Sequence, residues 1–397
     1  MRILLSTIGS RGDVEPLVAV ALRIREAGGE ARLCVPPDFR EWIEELGLPV
    51  TPFGPSVRPG AGPRRPAGTT PLARRRLIEG TVALQFEQYP AVAAGCDLIV
   101  GGGPMLFAAP SVAEMLRVPY LNVHFCPVSL PSPHHAPPPV AWGGDTTADA
   151  GRQWADDARR WNEHWGPAVN EQRKAAGLAA VDDVRAHLFT ARPWLAADPV
   201  LGPWPGSGEV TVTQTGAWIR PAGDTLPPEV EAFLDAGEPP IYFGLGSTPV
   251  GNRGVGDAML AAARASGRRA IVARGWAELS AGGGAPDCLV VGELDHQALF
   301  PRVAAAVHHG GAGTTTAVAR AGVPQVILPH RYDQFYWAGR VAELGIGAAH
   351  PAGPLTAESL AGVVETALRA GPAARDLAPR VRADGASVAA AGLLALG

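Results

Sequence analysis

His308-His309-Gly310-Gly311-Ala312-Gly313-Thr314-Thr315-Thr316 stands near the end of the chain, behind the apolar run Val303 to Val307 and ahead of a segment of helical character. Strand, glycine turn and helix start, in that order, describe one α/β unit with an anion site at its turn. The first turn of a helix leaves backbone N–H groups unpaired and carries the positive end of the helix dipole, so phosphate oxygens settle there. Glycines allow close backbone approach, Thr314 and Thr315 can add hydroxyl donors, and a histidine at the strand exit supplies another donor. The same segment is also compatible with a tight αβ turn holding buried, hydrogen-bonded histidines.

The rest of the chain repeats this grammar. Ile3 to Thr7 is a short apolar run, Gly9-Ser10-Arg11-Gly12-Asp13 a turn, and Val14 to Ala27 carries Leu17, Val20, Ala21 and Ile24 at helical spacing. Ala31 to Val35, Val50 to Phe53, Leu98 to Gly101 and Tyr120 to His124 read as further strands, with a helix over Met105 to Leu116 among the intervening segments. Ile241 to Leu245, Ala270 to Ala273, Cys288 to Val291, Ala304 to His308 and Gln325 to Leu328 form a second such series. Alternating helices and buried-type strands predict parallel sheets covered on both faces. The expected organisation is therefore two doubly wound α/β domains, whose active cleft lies where strand C-termini face each other. The Pro- and Gly-rich stretch 197–240 reads as the linker region between them.

Composition narrows the function. At 397 residues the chain exceeds the usual single-core size. A formal charge of −4 gives no electrostatic case for nucleic acid or an anionic membrane, and no run of about 18 apolar residues occurs. Cys34, Cys96, Cys126 and Cys288 are scattered without CxxC spacing, which suggests neither a zinc cage nor a disulfide framework. A soluble cytoplasmic protein without a resident metal is expected. Lys174 is the only lysine, a bias from which no function follows.

Three other features invite a role. Ser56 to Thr70 and the proline-rich Pro127 to Gly144 read as long irregular inserts; the second follows a strand C-terminus, where it would shape an acceptor pocket. Met105, Phe107, His124 and His134 (with His135) are candidates to line that pocket, though their spacing fits no metal motif. Trp154, Trp161 and Trp165 recur at near-helical spacing and read as packing surface.

Leu4-Leu5-Ser6-Thr7 with Gly9-Ser10-Arg11-Gly12-Asp13-Val14-Glu15-Pro16-Leu17, the run His309 to Thr314, Ala321-Gly322-Val323-Pro324-Gln325, and Asp333-Gln334 with Ala338-Gly339-Arg340-Val341 together resemble the GT-B glycosyltransferases of bacterial natural products. Among these the chain is most similar to the glycosyltransferases of vancomycin-type glycopeptide antibiotics, over essentially its whole length. The resemblance implies an acceptor-binding domain (1–196), a linker region (197–240), a nucleotide-sugar domain (241–382) and a C-terminal helix (383–397) that packs back on the first domain. It implies inverting, metal-independent transfer of a hexose from a UDP- or dTDP-sugar, a co-substrate rather than a cofactor, to a hydroxyl of a natural-product aglycone.

Residue roles follow from the same resemblance. Asp13 would be the general base, placed just past the first strand where an acceptor hydroxyl must lose its proton; its ordinary alternative is the N-cap of the next helix. Donors for the leaving diphosphate would come from His309, Gly311, Gly313 and Thr314, from Ser247 and Thr248, and from Ser10 and Arg11. Asp333 and Gln334, opening a helix over Phe335 to Leu344, would touch the donor sugar, again with an N-cap as the alternative for Asp333. Trp276 and Leu294 match where relatives hold the nucleobase. Other aglycones (polyketide, sterol), an epimerase, and a silent nucleotide-binding partner protein stand as alternatives. A nicotinamide dehydrogenase is disfavoured, because Gly9-Ser10-Arg11-Gly12 is not GxGxxG and the second strand ends without an acidic ribose ligand.

Overall fold

The computed structural model describes residues 1–58, 70–139, 147–206, 209–221, 223, 225–248 and 254–396. Most of the first insert and residues 140–144 of the second lie outside the described residues. The chain forms two compact units, one of Met1–Ala197, Trp204–Arg220 and Asp384–Gly397, the other of Asp198–Pro203 and Pro221–Ala383. The stretch read as linker is thus divided between them, and short pairings explain why: Thr213–Gln214 joins the first sheet as its last strand, while Arg340 Nε and Nη2 hold the carbonyls of Leu201 and Val200 in the second unit.

The first unit is built on a parallel sheet ordered β3-β2-β1-β4-β5-β6-β7: β1 (Arg2–Thr7), β2 (Glu30–Val35), β3 (Val50–Pro52), β4 (Leu98–Gly102), β5 (Tyr120–His124), β6 (Trp194–Leu195) and β7 (Thr213–Gln214). Its helices are α1 (Arg11–Glu26), α2 (Arg40–Glu45), α3 (Pro71–Ala93), α4 (Ala109–Leu116), α5 (Ala150–Ala175) and α6 (Val184–Phe189). Leu4, Cys34 and Ile99 pack with Tyr89 of α3 and Val112 of α4, and Val14, Leu17, Val18, Ala21 and Ile24 of α1 are buried. Each buried Val, Leu or Ile side chain among these contributes roughly 1.5–3 kcal/mol by leaving water.

The second unit repeats the plan in a parallel sheet ordered β10-β9-β8-β11-β12-β13, from β8 (Ile241–Gly244), β9 (Ala270–Ala273), β10 (Cys288–Val291), β11 (Ala305–His308), β12 (Gln325–Ile327) and β13 (Gly347–Ala349). The helices are α7 (Pro228–Asp235), α8 (Val255–Ala265), α9 (His296–Leu299), α10 (Ala312–Arg320), α11 (Gln334–Glu343), α12 (Ala357–Arg369) and α13 (Gly371–Leu377). Strand alternation splits the core into two layers. Ile241, Phe243 and Val272 meet Met259 and Leu260 of α8 and Val364 of α12, whereas Tyr242 and Ile271 meet Val230 of α7 and Val318 of α10. This is the doubly wound arrangement that buried, near-continuous apolar strands require. The last helix, α14 (Gly385–Leu394), returns to the first unit and packs on α1. No helix among the described residues is long and apolar enough to cross a membrane.

Three boundaries differ from the sequence reading. The first helix begins at Arg11 rather than Val14, with Ser10 as its N-cap. The helix expected over Met105 to Leu116 begins at Ala109, because Gln85 of α3 intercepts the chain before it: its Nε2 donates to the Met105 carbonyl at 2.9 Å and its Oε1 accepts from Ala108 N at 3.3 Å. The helix after Gln325–Ile327 begins at Gln334 rather than Phe335.

Candidate functional site

In each unit the strand order reverses direction once, between β1 and β4 in the first and between β8 and β11 in the second. In open parallel sheets the crevice outside the strand C-termini at that reversal is the natural ligand site, because the flanking loops diverge to opposite faces there.

In the first unit Asp13 occupies this position. It lies in the first turn of α1, and its Oδ2 accepts the Ser10 backbone N–H at 2.8 Å and the Ser10 hydroxyl at 3.3 Å. Asp13 is therefore not the N-cap; it is the third helical residue, bonded back to the capping one. Two glycines make room for it. A Cβ on Gly9 would come within 2.3 Å of Asp13 Oδ2, and a Cβ on Gly103, which follows β4 with φ +75°, would meet Thr7 Oγ1 at 3.3 Å and Asp13 Oδ1 at 3.6 Å. Arg11 binds Glu15 through Nε at 2.9 Å and lies over the Trp42 ring at 3.5 Å. Arg220 reaches the same Glu15 at 3.4 Å.

The residues expected to hold an acceptor divide. Phe107 is a correction: it has no exposed surface and stacks on Trp165 with ring centroids 4.1 Å apart, so it belongs to the core rather than to a pocket wall. Met105 packs at the edge of that cluster. Trp154 and Trp161 are buried, as packing residues should be. His124 ends β5 and is buried, its ring edge against Phe189 at 5.1 Å. The Ser129 hydroxyl donates to the Cys126 carbonyl at 2.7 Å and so accepts from His124 Nδ1–H at 2.8 Å. Burial and the Arg185 charge push the His124 pKa down to about 3, which keeps the ring neutral. His134 is exposed on the proline-rich loop. That loop is pinned along its described part: Arg185 bonds Asp157 at 2.8 Å and reaches the Ser129 carbonyl, and Trp154 Nε1 holds the His135 carbonyl at 2.8 Å.

In the second unit the candidate donor residues follow five adjacent strands. Leu294 comes after β10, Trp276 after β9, Ser247 and Thr248 after β8, His309 to Thr314 after β11, and Asp333 and Gln334 after β12. All five strands are parallel, so all five loops emerge at one edge of the sheet. Backbone contacts lock neighbouring loops together: Trp276 N donates to Gly246 O at 3.0 Å, and a Cβ on Gly275 would stand 2.6 Å from that oxygen. Ser247 is half-buried and Thr248 buried.

The two histidines at the end of β11 separate into different roles. His308 is wholly buried; its Nδ1 accepts the Gly310 N–H at 3.1 Å and its Nε2–H donates to Gln325 Oε1 at 2.8 Å. Burial holds its pKa down to about 3. His308 is thus the hydrogen-bonded histidine of the turn, and it fixes Gly310 at φ +90°, where a side chain would strike Ile327. The His309 ring packs instead over two glycines: its Cε1 is 2.8 Å from a Cβ built on Gly246 and its Nε2 2.6 Å from one built on Gly311, the N-cap of α10. Its pKa is lowered to about 4 by burial, then by His296, His330 and Arg331. Nε2 thus points at the helix start, beside N–H groups that have no intrahelical partner.

The threonines of the turn also separate. The hydroxyls of Thr315 and Thr316 donate to the carbonyls of Gly311 and Ala312 at 2.9 and 2.8 Å, so Thr315, read as a possible anion donor, is spent inside the helix. Gly311 and Thr314 are half-buried and Gly313 exposed at its first turn. Asp333 precedes α11 and accepts the Trp337 indole N–H at 3.1 Å. Gln334 is buried, and its Oε1 accepts the N–H groups of His330 and Arg331 at 2.8 and 3.2 Å. The sequence reading gave no site role of their own to Thr7, Gly9, Gly103, His296 and His330, which the fold brings beside these residues.

Two sheets of this order with these loops are matched by known proteins. Residues 3–131 match the glycosyltransferase family 28 N-terminal domain, and residues 271–391 match the erythromycin biosynthesis protein CIII-like C-terminal domain. The vancomycin aglycone glucosyltransferase of Amycolatopsis orientalis is 46% identical over 400 residues, 99% of this chain and 97% of that protein. The dTDP-epi-vancosaminyltransferase of the same organism is 43% identical over 397 residues, covering 98% and 93%. Among solved structures, the glycotransferase of kitacinnamycin superposes with a TM-score of 0.74 at 17% identity, covering 100% of this chain and 98% of that one. Glycosyltransferase VinC, solved in complex with dTDP, superposes at 0.67 and 19% identity, covering 100% and 99%. The fold and loops define an enzyme of the GT-B glycosyltransferase class. The chain belongs to the glycosyltransferases of vancomycin-type glycopeptide antibiotics.

Proposed function

We propose that this glycosyltransferase moves a hexose, glucose or a deoxysugar, from a UDP- or dTDP-sugar to a hydroxyl of a natural-product aglycone of the glycopeptide kind, with inversion and without a metal. The observation that carries the reading is the convergence of Ser247, His309, the α10 N-terminus and Asp333 at one edge of the second sheet. Relatives of high identity are named for aglycone glucosyl transfer and for a dTDP-linked sugar.

In this reading the nucleobase rests against Trp276 and Leu294, and the diphosphate against the unpaired N–H groups of Gly311 and Gly313, with the Thr314 and Ser247 hydroxyls, Thr248 and His309 Nε2. As the bond to the anomeric carbon stretches, negative charge grows on the diphosphate, and fixed dipoles already aimed there stabilise it without reorganisation. Asp333 and Gln334 orient the sugar hydroxyls. Asp13 takes the proton of the acceptor hydroxyl, whose oxygen then attacks the anomeric carbon from the side opposite the diphosphate and so inverts its configuration. Met105, His124 and His134 would flank the acceptor.

Two measurements test this directly. Proton NMR of the glycoside made from an α-linked donor should show a β linkage; a retained α linkage would refute inversion. Turnover should persist in excess EDTA, and its loss with recovery on adding Mg²⁺ would refute metal independence.

A further inference from the structure

The two nitrogens of the His309 ring face different ways. Nδ1 is 3.3 Å from a Cβ built on Gly246 and Nε2 is 2.6 Å from one built on Gly311, so Nδ1 is turned to the loop after β8 and Nε2 to the start of α10. Nδ1 is sealed from solvent and makes no hydrogen bond among the described residues. The backbone group beside the ring that favours a proton on it is Gly244, the last residue of β8. Its carbonyl can only accept, and so can a fully ionised phosphate at the start of α10. A neutral imidazole has one N–H to give, whereas an imidazolium has two.

The titratable groups that face this ring are basic. His308 stands beside it on β11 with ring centroids 6.4 Å apart, and His296 of α9 with His330 and Arg331 after β12 act on it electrostatically. The segment 244–248 and the first turn of α10 carry no titratable side chain, and Asp333, on the loop of His330, is bonded to the Trp337 indole. Burial and these basic neighbours hold the free ring neutral. An anion at Nε2 reverses the balance, because an opposite charge within a few ångströms favours the charged form and a hydrogen bond to a charged group is the stronger kind.

We propose that the donor's diphosphate binds together with a proton: the bare nitrogen of the neutral His309 ring takes one from solvent, Nε2–H then donates to a phosphate oxygen, and Nδ1–H turns to the Gly244 carbonyl. This rests on the reading of the α10 N-terminus as the diphosphate site. Donor affinity therefore falls as the pH rises through the pKa of the bound ring, and the departing nucleoside diphosphate returns the proton to solvent.

The test is calorimetric titration with UDP and with dTDP at about pH 7.5, where a terminal phosphate of pKa about 6 has already lost its own proton. Repeating it in buffers of different ionisation enthalpy counts the protons exchanged. The wild type should take up about one proton per nucleotide bound. His309→Gln, which keeps a donor but cannot titrate, should bind about 10-fold more weakly and take up none. No uptake by the wild type, or the same uptake by His309→Gln, overturns the inference. Should His309→Gln not fold or bind too weakly to titrate, nitrogen NMR of histidine-labelled wild type with bound nucleotide decides: two protonated nitrogens on His309 support the proposal, and one protonated with one bare overturns it. A folded wild type that binds neither nucleotide would instead overturn the diphosphate-site reading, a different failure.

Discussion

The Asp13 carboxylate binds the backbone N–H of Ser10, three residues before it, at 2.8 Å. A carboxylate in that position closes the helix start and stands fixed at the mouth of β1, where the proposed base would act.

Asp13→Asn therefore separates the two duties. The amide still accepts from Ser10 but cannot take up the acceptor proton. Turnover should fall about 10²–10⁴-fold, while nucleotide affinity measured by calorimetry stays at the wild-type value. Unchanged turnover would remove Asp13 from the mechanism.

Gly9 and Gly12 make a matched contrast. A Cβ at Gly9 overlaps Asp13 Oδ2, whereas the nearest atom to a Cβ at Gly12 is Ser10 Oγ at 3.9 Å. Gly9→Ala should displace the carboxylate and reduce kcat at least about 10-fold, as misplaced catalytic groups do; Gly12→Ala should leave kcat near wild type. Equal rates in the two variants would contradict the geometry.

His308 and His309 should respond oppositely to truncation. His308→Ala orphans Gln325 Oε1 and the Gly310 N–H and opens a cavity, so unfolding by urea should show a loss of about 2–4 kcal/mol. His309→Ala removes a donor facing the α10 N-terminus, so it should weaken nucleoside diphosphate binding about 10-fold or more with a smaller effect on stability. A normal nucleotide Kd in folded His309→Ala would return His309 to a packing role.

Acid should destabilise the fold through its buried imidazoles. Burial lowers the pKa of His124 and His308 to about 3 and of His187 and His309 to about 4, while in the unfolded chain all return to about 6.5. Between these values the unfolded state binds more protons than the folded one, so stability rises with pH. It is complete above pH about 6.5 and is lost progressively as the pH falls toward those folded values. Calorimetric Tm should drop steadily from pH 7 to pH 4; a flat Tm across that range would contradict the burial of these rings.

The alternation of buried strands and helices, and the glycine turn after Val307, were legible because both are local: strand period, a positive-φ turn and a helix start need only neighbouring residues. What escaped depends on distant partners. Met105 to Ala108 has helical spacing but is captured by Gln85, 20 to 23 residues earlier in the chain. Phe107 looks like a pocket residue until Trp165, on a helix of its own, stacks over it. Thr213–Gln214 and Gly347–Ala349 are too short for any period to mark them as strands. Spacing alone does not separate the two adjacent histidines, and only the resemblance singles out His309; Gln325, one strand over, makes His308 the hydrogen-bonded histidine of the turn.

The central claim is that the loops after β8, β9, β10, β11 and β12 bind a sugar nucleotide. Calorimetric titration of the purified, metal-free protein with UDP, dTDP and their glucose conjugates tests it most directly. Saturable binding of one nucleotide series, weakened in His309→Ala, is the predicted result. No heat of binding with any of the four, from a protein that is folded by circular dichroism, would contradict it.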